Sequence, residues 1–363
     1  MLDRRRISHV DWATFGLAMI LVAVGFLNLI SALSPSYSLL KKQVFVFLLG
    51  LLALPVVTLY DYRKLAEISL WIYVVVLCLI VLTFLFGVRA GGARRWLNLF
   101  GMNLQPSEFM KLSIILLLSQ RLHEKRALGV KLGPRDLGVP LLLILLPTAL
   151  VLLQPDLGTA VILLLVSLSI LWYAGLKPSV YVALGLLGGA SPYLLWEYLL
   201  RPYQKARILI HLNLLSDPQG LGYHTTQAKI AVGSGKFFGK GFMEGTQHRL
   251  QFVPEHHTDF IFTVFAEEWG FVGCIVLLFL FLLFVYRCIR ISESASDELG
   301  SIIAFGIASL VYFQLTMNLF MALNILPAVG VPLPFMSYGG SALLTILLCL
   351  GLLMNIQVRR YMF

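Results

Sequence analysis

Apolar stretches of roughly 20 residues, the length a helix needs to cross a hydrocarbon core, recur ten times along this 363-residue chain. They centre near Met19, Gly50, Val75, Ile115, Ile144, Leu164, Leu187, Val276, Leu310 and Leu347. Inside a bilayer every backbone N–H and C=O must be paired within the protein, which leaves helices or a closed barrel. A barrel would show short alternating strands instead. With 59% hydrophobic and 13% charged residues and a mean hydropathy of +0.86, a water-soluble globule is excluded. The expected fold is an all-α polytopic membrane protein of about ten transmembrane helices. No Pro/Ser-rich or charged linker divides it, so residues 1–363 read as a single domain. The first span lacks a cleavage site after a short apolar core and reads as a retained helix.

Orientation follows from the basic residues, because Lys and Arg in short loops stay on the cytoplasmic side. Arg4 to Arg6, Arg63, Lys64, Arg121, Lys125, Arg126, Lys131, Arg135, Lys177, Arg287, Arg290, Arg359 and Arg360 share one side, opposed by few short-loop cations. Both termini are therefore expected in the cytoplasm, with one long extracytoplasmic loop at about 201–258. The formal charge of +10 is then mostly lipid anchoring, at ~1 kcal/mol per residue, and does not indicate nucleic acid. In the long loop, Tyr203 to Leu215 alternates apolar and basic residues like a segment lying in the interface. Its Gly233-Ser234-Gly235-Lys236 and Gly239-Lys240-Gly241 read as flexible cationic backbone, without the strand or spacing of a nucleotide loop. Cys78, Cys274, Cys288 and Cys349 show neither disulfide nor metal spacing.

The candidate chemistry clusters where spans begin. Gln105-Pro106-Ser107-Glu108 and Gln154-Pro155-Asp156 each open a span, with Ser107 or Asp156 placed to cap it. Asp259 opens another, and Ser337-Tyr338-Gly339-Gly340-Ser341 a fourth. Four helix N-termini, each with partial positive charge and unpaired N–H groups, can form a socket for a phosphate or pyrophosphate. Glu108 and Lys111 share a helix face as an intramembrane ion pair, either holding the bundle together or presenting Lys111 to a substrate anion. Arg94, Arg95 and Trp96 fit interfacial anchoring or a headgroup contact. His256 and His257 beside Glu255 lack a convincing third metal ligand. Of Glu267 and Glu268, at least one must face the bundle interior, in a structural polar network. Asp259 is the expected base, because an apolar wall beneath a solvent-reached carboxyl raises its pKa. Its simpler reading is a helix cap.

Several stretches together carry a family resemblance. The longest is Asn324-Ile325-Leu326-Pro327-Ala328-Val329-Gly330-Val331-Pro332-Leu333-Pro334-Phe335-Met336-Ser337-Tyr338-Gly339-Gly340-Ser341. It is joined by His257-Thr258-Asp259-Phe260-Ile261-Phe262, Ala266-Glu267-Glu268, Gly245-Thr246-Gln247, the two Gln-Pro motifs and Lys111. Over essentially its whole length the chain resembles the SEDS (shape, elongation, division and sporulation) proteins. The resemblance implies a peptidoglycan glycosyltransferase of the bacterial inner membrane, acting outward on lipid II beside a class B penicillin-binding protein. It also implies that the family's essential aspartate is Asp259, its polar pair Glu108 and Lys111, and its loop tryptophan Trp96. Asp156, Ser337, Gly339, Gly340, Arg94 and Arg95 are the further expected substrate contacts.

The residues suit that chemistry. Turning an α-linked donor into a β-1,4 bond takes one in-line attack, so one base suffices: Asp259 for the acceptor hydroxyl, with Lys111 and Arg94 or Arg95 for the departing pyrophosphate. A divalent cation, Mg or Mn, could share that task, though no dedicated cage is visible. A precursor flippase would need polar residues in both bilayer halves, whereas the inner halves of spans four, six and ten are nearly pure Leu, Ile and Val. A scaffold would tolerate loss of Asp259. The partner's transmembrane helix is expected in a lipid-facing groove between spans eight and nine, where Gly306 and Ala308 allow close approach.

Overall fold

The computed structural model describes residues 11–34, 37–90, 93–99, 101–180, 182, 185, 195–200, 202–212, 214, 221–246 and 257–360. The expected span about Leu187, the pair Glu255 and His256, and Arg4 to Arg6 lie outside these residues. In chain order the elements are α1 (Trp12–Ala32), α2 (Ser38–Leu59), α3 (Tyr62–Glu67), α4 (Ser69–Phe86), strands β1 (Val88–Ala90), β2 (Ala93–Leu99) and β3 (Met102–Leu104), then α5 (Pro106–Ala127), α6 (Gly138–Leu153) and α7 (Leu157–Ala174). After these come α8 (Pro202–His211), α9 (Leu221–Ser234), α10 (Ile261–Glu293), α11 (Glu298–Ala322) and α12 (Gly340–Arg359). Every expected span centre among the described residues falls within a helix. Among the described residues, α1, α2, α4, α7, α10, α11 and α12 are long and apolar enough to cross a membrane, and α6 is a shorter apolar helix.

Helix α5 is the centre of the bundle, packed by α4, α7, α11 and α12. Its residues Ile114, Ile115, Leu117 and Leu118 are fully buried. Gly306 lets α11 approach this core, since a Cβ there would stand 2.8 Å from Ile115 and 3.0 Å from Ile170. Ala308 is likewise buried. Both therefore pack inward, which overturns their expected place in a lipid-facing groove. Ion pairs fasten the helix ends at one pole of the bundle: Arg63 to Asp297 at 2.7 Å, Arg126 to Glu298 at 2.5 Å, Arg287 to Asp11 at 2.6 Å and Arg359 to Asp61 at 3.2 Å. At the other pole a three-stranded antiparallel meander, β1-β2-β3, joins α4 to α5 where the sequence reads as an outer loop.

The segment expected as one long loop contains α8 and α9 among its described residues, and its glycines are not a flexible tether. Helix α10 breaks at Gly270, which takes φ 64° and ψ −165°. In hydrocarbon the freed peptide groups need partners. The chain after α9 supplies them: Phe271 and Val272 donate to the carbonyls of Lys236 and Phe237 at 2.9 and 3.1 Å, while Lys240 and Gly241 donate to those of Glu267 and Glu268 at 3.0 and 3.1 Å. Backbone meets backbone here, and only glycine fits. A Cβ on Gly239, whose φ is +80°, would stand 2.0 Å from the Glu268 carbonyl oxygen. Gly239→Ala should therefore lower the thermal unfolding midpoint in detergent by several degrees, a cost of about 1–3 kcal/mol. Gly138→Ala, where a Cβ meets nothing within 4 Å, should leave the midpoint unchanged.

Candidate active site

The two Gln-Pro motifs meet. Gln105 occupies the cap position of α5 with Pro106 in the first turn, and its side-chain amide donates to Ser107 Oγ at 3.2 Å and Asp156 Oδ2 at 3.1 Å. Asp156 caps α7 by accepting from Thr159 N at 3.2 Å. The Gln105 backbone N–H donates to Ser341 Oγ in the first turn of α12 at 2.8 Å. Three helix starts are thereby drawn together. They open on a cavity of about 490 Å³ whose lining includes Glu108, Asp156, Asp259, Arg95, Trp96, Gly339 and Gly340.

Asp259 stands two residues before α10, and Phe260 rather than Asp259 takes the cap position. Its backbone is braced from α11: Asn318, fully buried, donates from one amide nitrogen to the carbonyls of Asp259 and Val331, both at 2.8 Å. The carboxylate lies against Gly330, where a Cβ would sit 3.2 Å from Asp259 Oδ2 and φ is +73°. Further straps tie residues 257–259 to the loop before α12. Tyr338 N donates to His257 O at 2.8 Å, and Ser337 Oγ donates to Thr258 O at 2.6 Å while accepting from Leu333 N at 2.8 Å. Gln43 of α2 completes the frame, donating to Ser337 O and accepting from Gly339 N, both at 3.2 Å. Burial pushes the Tyr338 phenol pKa up, so its hydroxyl stays neutral on the cavity wall.

Other expected contacts lie elsewhere. Ser337 is a buried strut, off the 490 Å³ cavity. Lys111 is sealed beneath Glu108, its ammonium 2.7 Å from both carboxylate oxygens, and only Glu108 reaches the lining. The pair is 2–3% exposed, and removing one partner of such a pair costs roughly 3–5 kcal/mol. Arg94 turns away from the cavity and donates to Phe84 O at 3.1 Å, near the C-terminus of α4, where a cation is favoured. Arg95 is held inward instead, by the carbonyls of Gln154 at 3.0 Å and Pro155 and by Asp156 at 3.9 Å. Glu267 accepts from Lys240 Nζ at 2.6 Å and Thr246 N at 2.8 Å, and Glu268 accepts from Ser31 Oγ. Neither lines the cavity.

Sequence reasoning did not place Lys42, Gln43, Gln204 and Arg207 at the site, and they also line it. For Gln204, Arg207 and Ile208 the signal was available, since i, i+3, i+4 spacing gathers them on one face of α8.

A central buried ion pair, helix starts converging on one cavity, and a braced aspartate at its rim define a polytopic membrane protein with its polar site at one pole. The chain belongs to the FtsW, RodA and SpoVE family of cell cycle proteins, whose model matches residues 6–362. It is 36% identical over 355 residues to the peptidoglycan glycosyltransferase MrdB of Escherichia coli K12, covering 98% of this chain and 95% of that one. It is 34% identical to a probable peptidoglycan glycosyltransferase FtsW of Geobacter sp. strain M18, over 98% of both chains. Among solved structures, a chain of a peptidoglycan synthase complex that coordinates polymerization and crosslinking superposes with a TM-score of 0.82 at 32% identity, covering 98% of this chain and 99% of that one. The Thermus thermophilus rod shape determining protein RodA superposes with a TM-score of 0.70 at 30% identity, covering 97% and 98%.

Asn318→Leu keeps the branched heavy-atom skeleton and strips two buried carbonyls of their donor. An unsatisfied buried acceptor costs about 1–3 kcal/mol, so the variant should unfold earlier in a thermal scan. A midpoint equal to the parent's would show that the brace carries no weight.

Proposed function

We propose that this chain polymerises lipid II into β-1,4 glycan strands at the bacterial inner membrane, serving cell elongation and rod shape, with its cavity facing outward. The observation that carries the reading is the Asp259 carboxylate at a cavity ringed by helix starts and lined by cations. The names of its relatives support the same activity. The basic residues that bind anionic lipid gather at the opposite pole, which supports the outward orientation. Below Glu108 and Lys111, α5 continues as the buried apolar layer Ile114, Ile115, Leu117 and Leu118. That floor favours one-sided chemistry over the alternating access of a flippase.

Asp259 takes the proton of the GlcNAc 4-hydroxyl as its oxygen attacks the anomeric carbon of the donor. The bond from that carbon to the diphosphate oxygen breaks, configuration inverts, and undecaprenyl diphosphate departs with the electron pair. Preorganised cations and N–H groups aimed at developing charge are the strongest lever available to such a site. Arg95 and the starts of α5, α7 and α12 are aimed at the cavity; Lys111 acts indirectly, by holding Glu108. Trp96 and the Gly339-Gly340 backbone shape the sugar-facing wall. A divalent cation, Mg or Mn, would enter as the counter-ion of the diphosphate. Among the described residues no group of three His, Cys, Asp or Glu side chains gathers to cage one, and no step is routed through it.

The partner is a class B penicillin-binding protein, engaged through its transmembrane helix. An apolar recess of about 400 Å³ between α10 and α11, floored by Phe281 and walled by Cys274, Leu278, Leu315 and Leu319, offers a seat for it. Asp259→Asn in the purified chain with that partner should abolish glycan strands on a gel while the thermal midpoint holds. Arg95→Ala should slow polymerisation about tenfold or more, and Arg94→Ala less than about twofold. A folded Asp259→Asn variant that polymerises like the parent would refute the base assignment.

A further inference from the structure

The meander turns one face of its second hairpin to the cavity. Asn98 and Asn103 stand directly opposite one another where β2 pairs with β3, so their side chains leave the sheet on the same face, and Trp96, two residues before Asn98, shares it. Trp96 and Asn103 line the cavity, with Gly101 of the turn between the strands, while Leu97 leaves on the opposite face and is buried. Asn98 is occupied by the turn. Its Oδ1 accepts from Gly101 N at 3.2 Å, where φ is +80°, and its amide nitrogen donates to Asn103 Oδ1 at 3.4 Å. The amide nitrogen of Asn103 itself has no acceptor among the described residues.

An aromatic face beside an amide suits a pyranose. The negative face of the indole meets the C–H groups of the sugar, and the amide offers two donors and an acceptor to a substituent at the ring edge. Arg95 precedes Trp96 and is fixed to residues 154–156. Consecutive strand residues leave on opposite faces, yet both line the cavity, so it reaches round β2 at this point, where β3 pairs only with Leu97 to Leu99. Asn98, the partner of Asn103, lies three residues past Arg95, about 10 Å along the strand, which the two side chains and one hexosamine between them can span. In an α-linked 2-acetamido sugar the substituents on C1 and C2 are gauche, so the acetamido group lies beside the diphosphate and off the line of attack on C1. From this placement we propose that Asn103 is a specificity-determining residue, whose amide donates to the acetamido carbonyl of the donor's diphosphate-linked sugar over the face of Trp96. The proposal rests on the glycosyltransferase reading and adds the group by which the donor is recognised. It touches C2 and neither the diphosphate nor the attacking hydroxyl, so the in-line path between Arg95 and Asp259 stays open.

In the rival account Asn103 only supports the turn made by Asn98. The two are separated by giving the full chain, with its transpeptidase partner, either lipid II or an analogue that carries a 2-azido group in place of the acetamido group on the diphosphate-linked sugar alone, and reading kcat/KM for each. The parent should prefer lipid II. Asn103→Leu keeps the branched skeleton at an exposed position and should hold the thermal midpoint. It should lower kcat/KM about tenfold for lipid II and less than about twofold for the analogue, so that the preference falls about tenfold. A preference equal to the parent's, whether both substrates slow together or neither does, overturns the inference, and so does a parent with no preference. A parent that polymerises neither substrate overturns the glycosyltransferase reading and this inference with it. An unchanged preference in a variant that still polymerises lipid II removes Asn103 alone and leaves the roles of Asp259 and Arg95 standing.

Discussion

Hydrocarbon offers no water to an unpaired peptide group, and that constraint governs where this bundle can be irregular. Between Asp259 and Phe260, through Leu326 to Gly339, and at Gly270, the backbone leaves the helix. At each place a buried group answers it. Asn318 bridges the Asp259 and Val331 carbonyls, Asn28 donates to Ile261 O at 3.0 Å, and Gln43 clamps Ser337 and Gly339. The break at Gly270 is answered by backbone alone. Side-chain amides suit the role because they donate to a freed carbonyl without carrying charge, and Gln43 accepts as well. The irregular backbone at Asp259–Phe260 and Leu326–Gly339 lies at the cavity and lines it.

The same logic sorts the charges. An isolated ion among the apolar residues of α5 would be costly, so Lys111 and Glu108 neutralise one another and leave a carboxylate edge, rather than an ammonium, on the lining. The carboxylate of Asp156 is spent on capping α7 and orienting Arg95. Asp259 differs in standing before the cap position, which Phe260 takes, with its backbone braced by Asn318 and its carboxylate against Gly330. A backbone held in place beside the cavity is what the proposed proton abstraction requires.

Much of this was legible in the sequence. Hydropathy located the helices, including α5 despite Glu108 and Lys111, because about twenty apolar residues leave few alternatives. Helix starts were readable from Gln105-Pro106 and Gln154-Pro155. What could not be read was direction. The Glu108–Lys111 pair was readable from its spacing, but not that Glu108 rather than Lys111 would reach the lining, while Arg94 and Ser337 sit in the right neighbourhoods yet point to Phe84 and into a buried strut. The amphipathic stripe of α8 fits a lipid surface and a cavity wall equally well until α8 is placed. The meander over Val88–Leu104 was missed because two of its strands span three residues each and carry no repeating pattern. The glycines near Gly239 look like a tether, and only the broken helix beside them shows why they must lack side chains.

The most direct test is a structure of the chain and its transpeptidase partner with an unreactive lipid II analogue at both sugar positions. The account predicts the acceptor 4-hydroxyl within hydrogen-bond reach of the Asp259 carboxylate, roughly 2.6–3.2 Å, and the donor diphosphate in the same cavity beside Arg95. An acceptor hydroxyl seated away from Asp259, or a diphosphate outside that cavity, would contradict it.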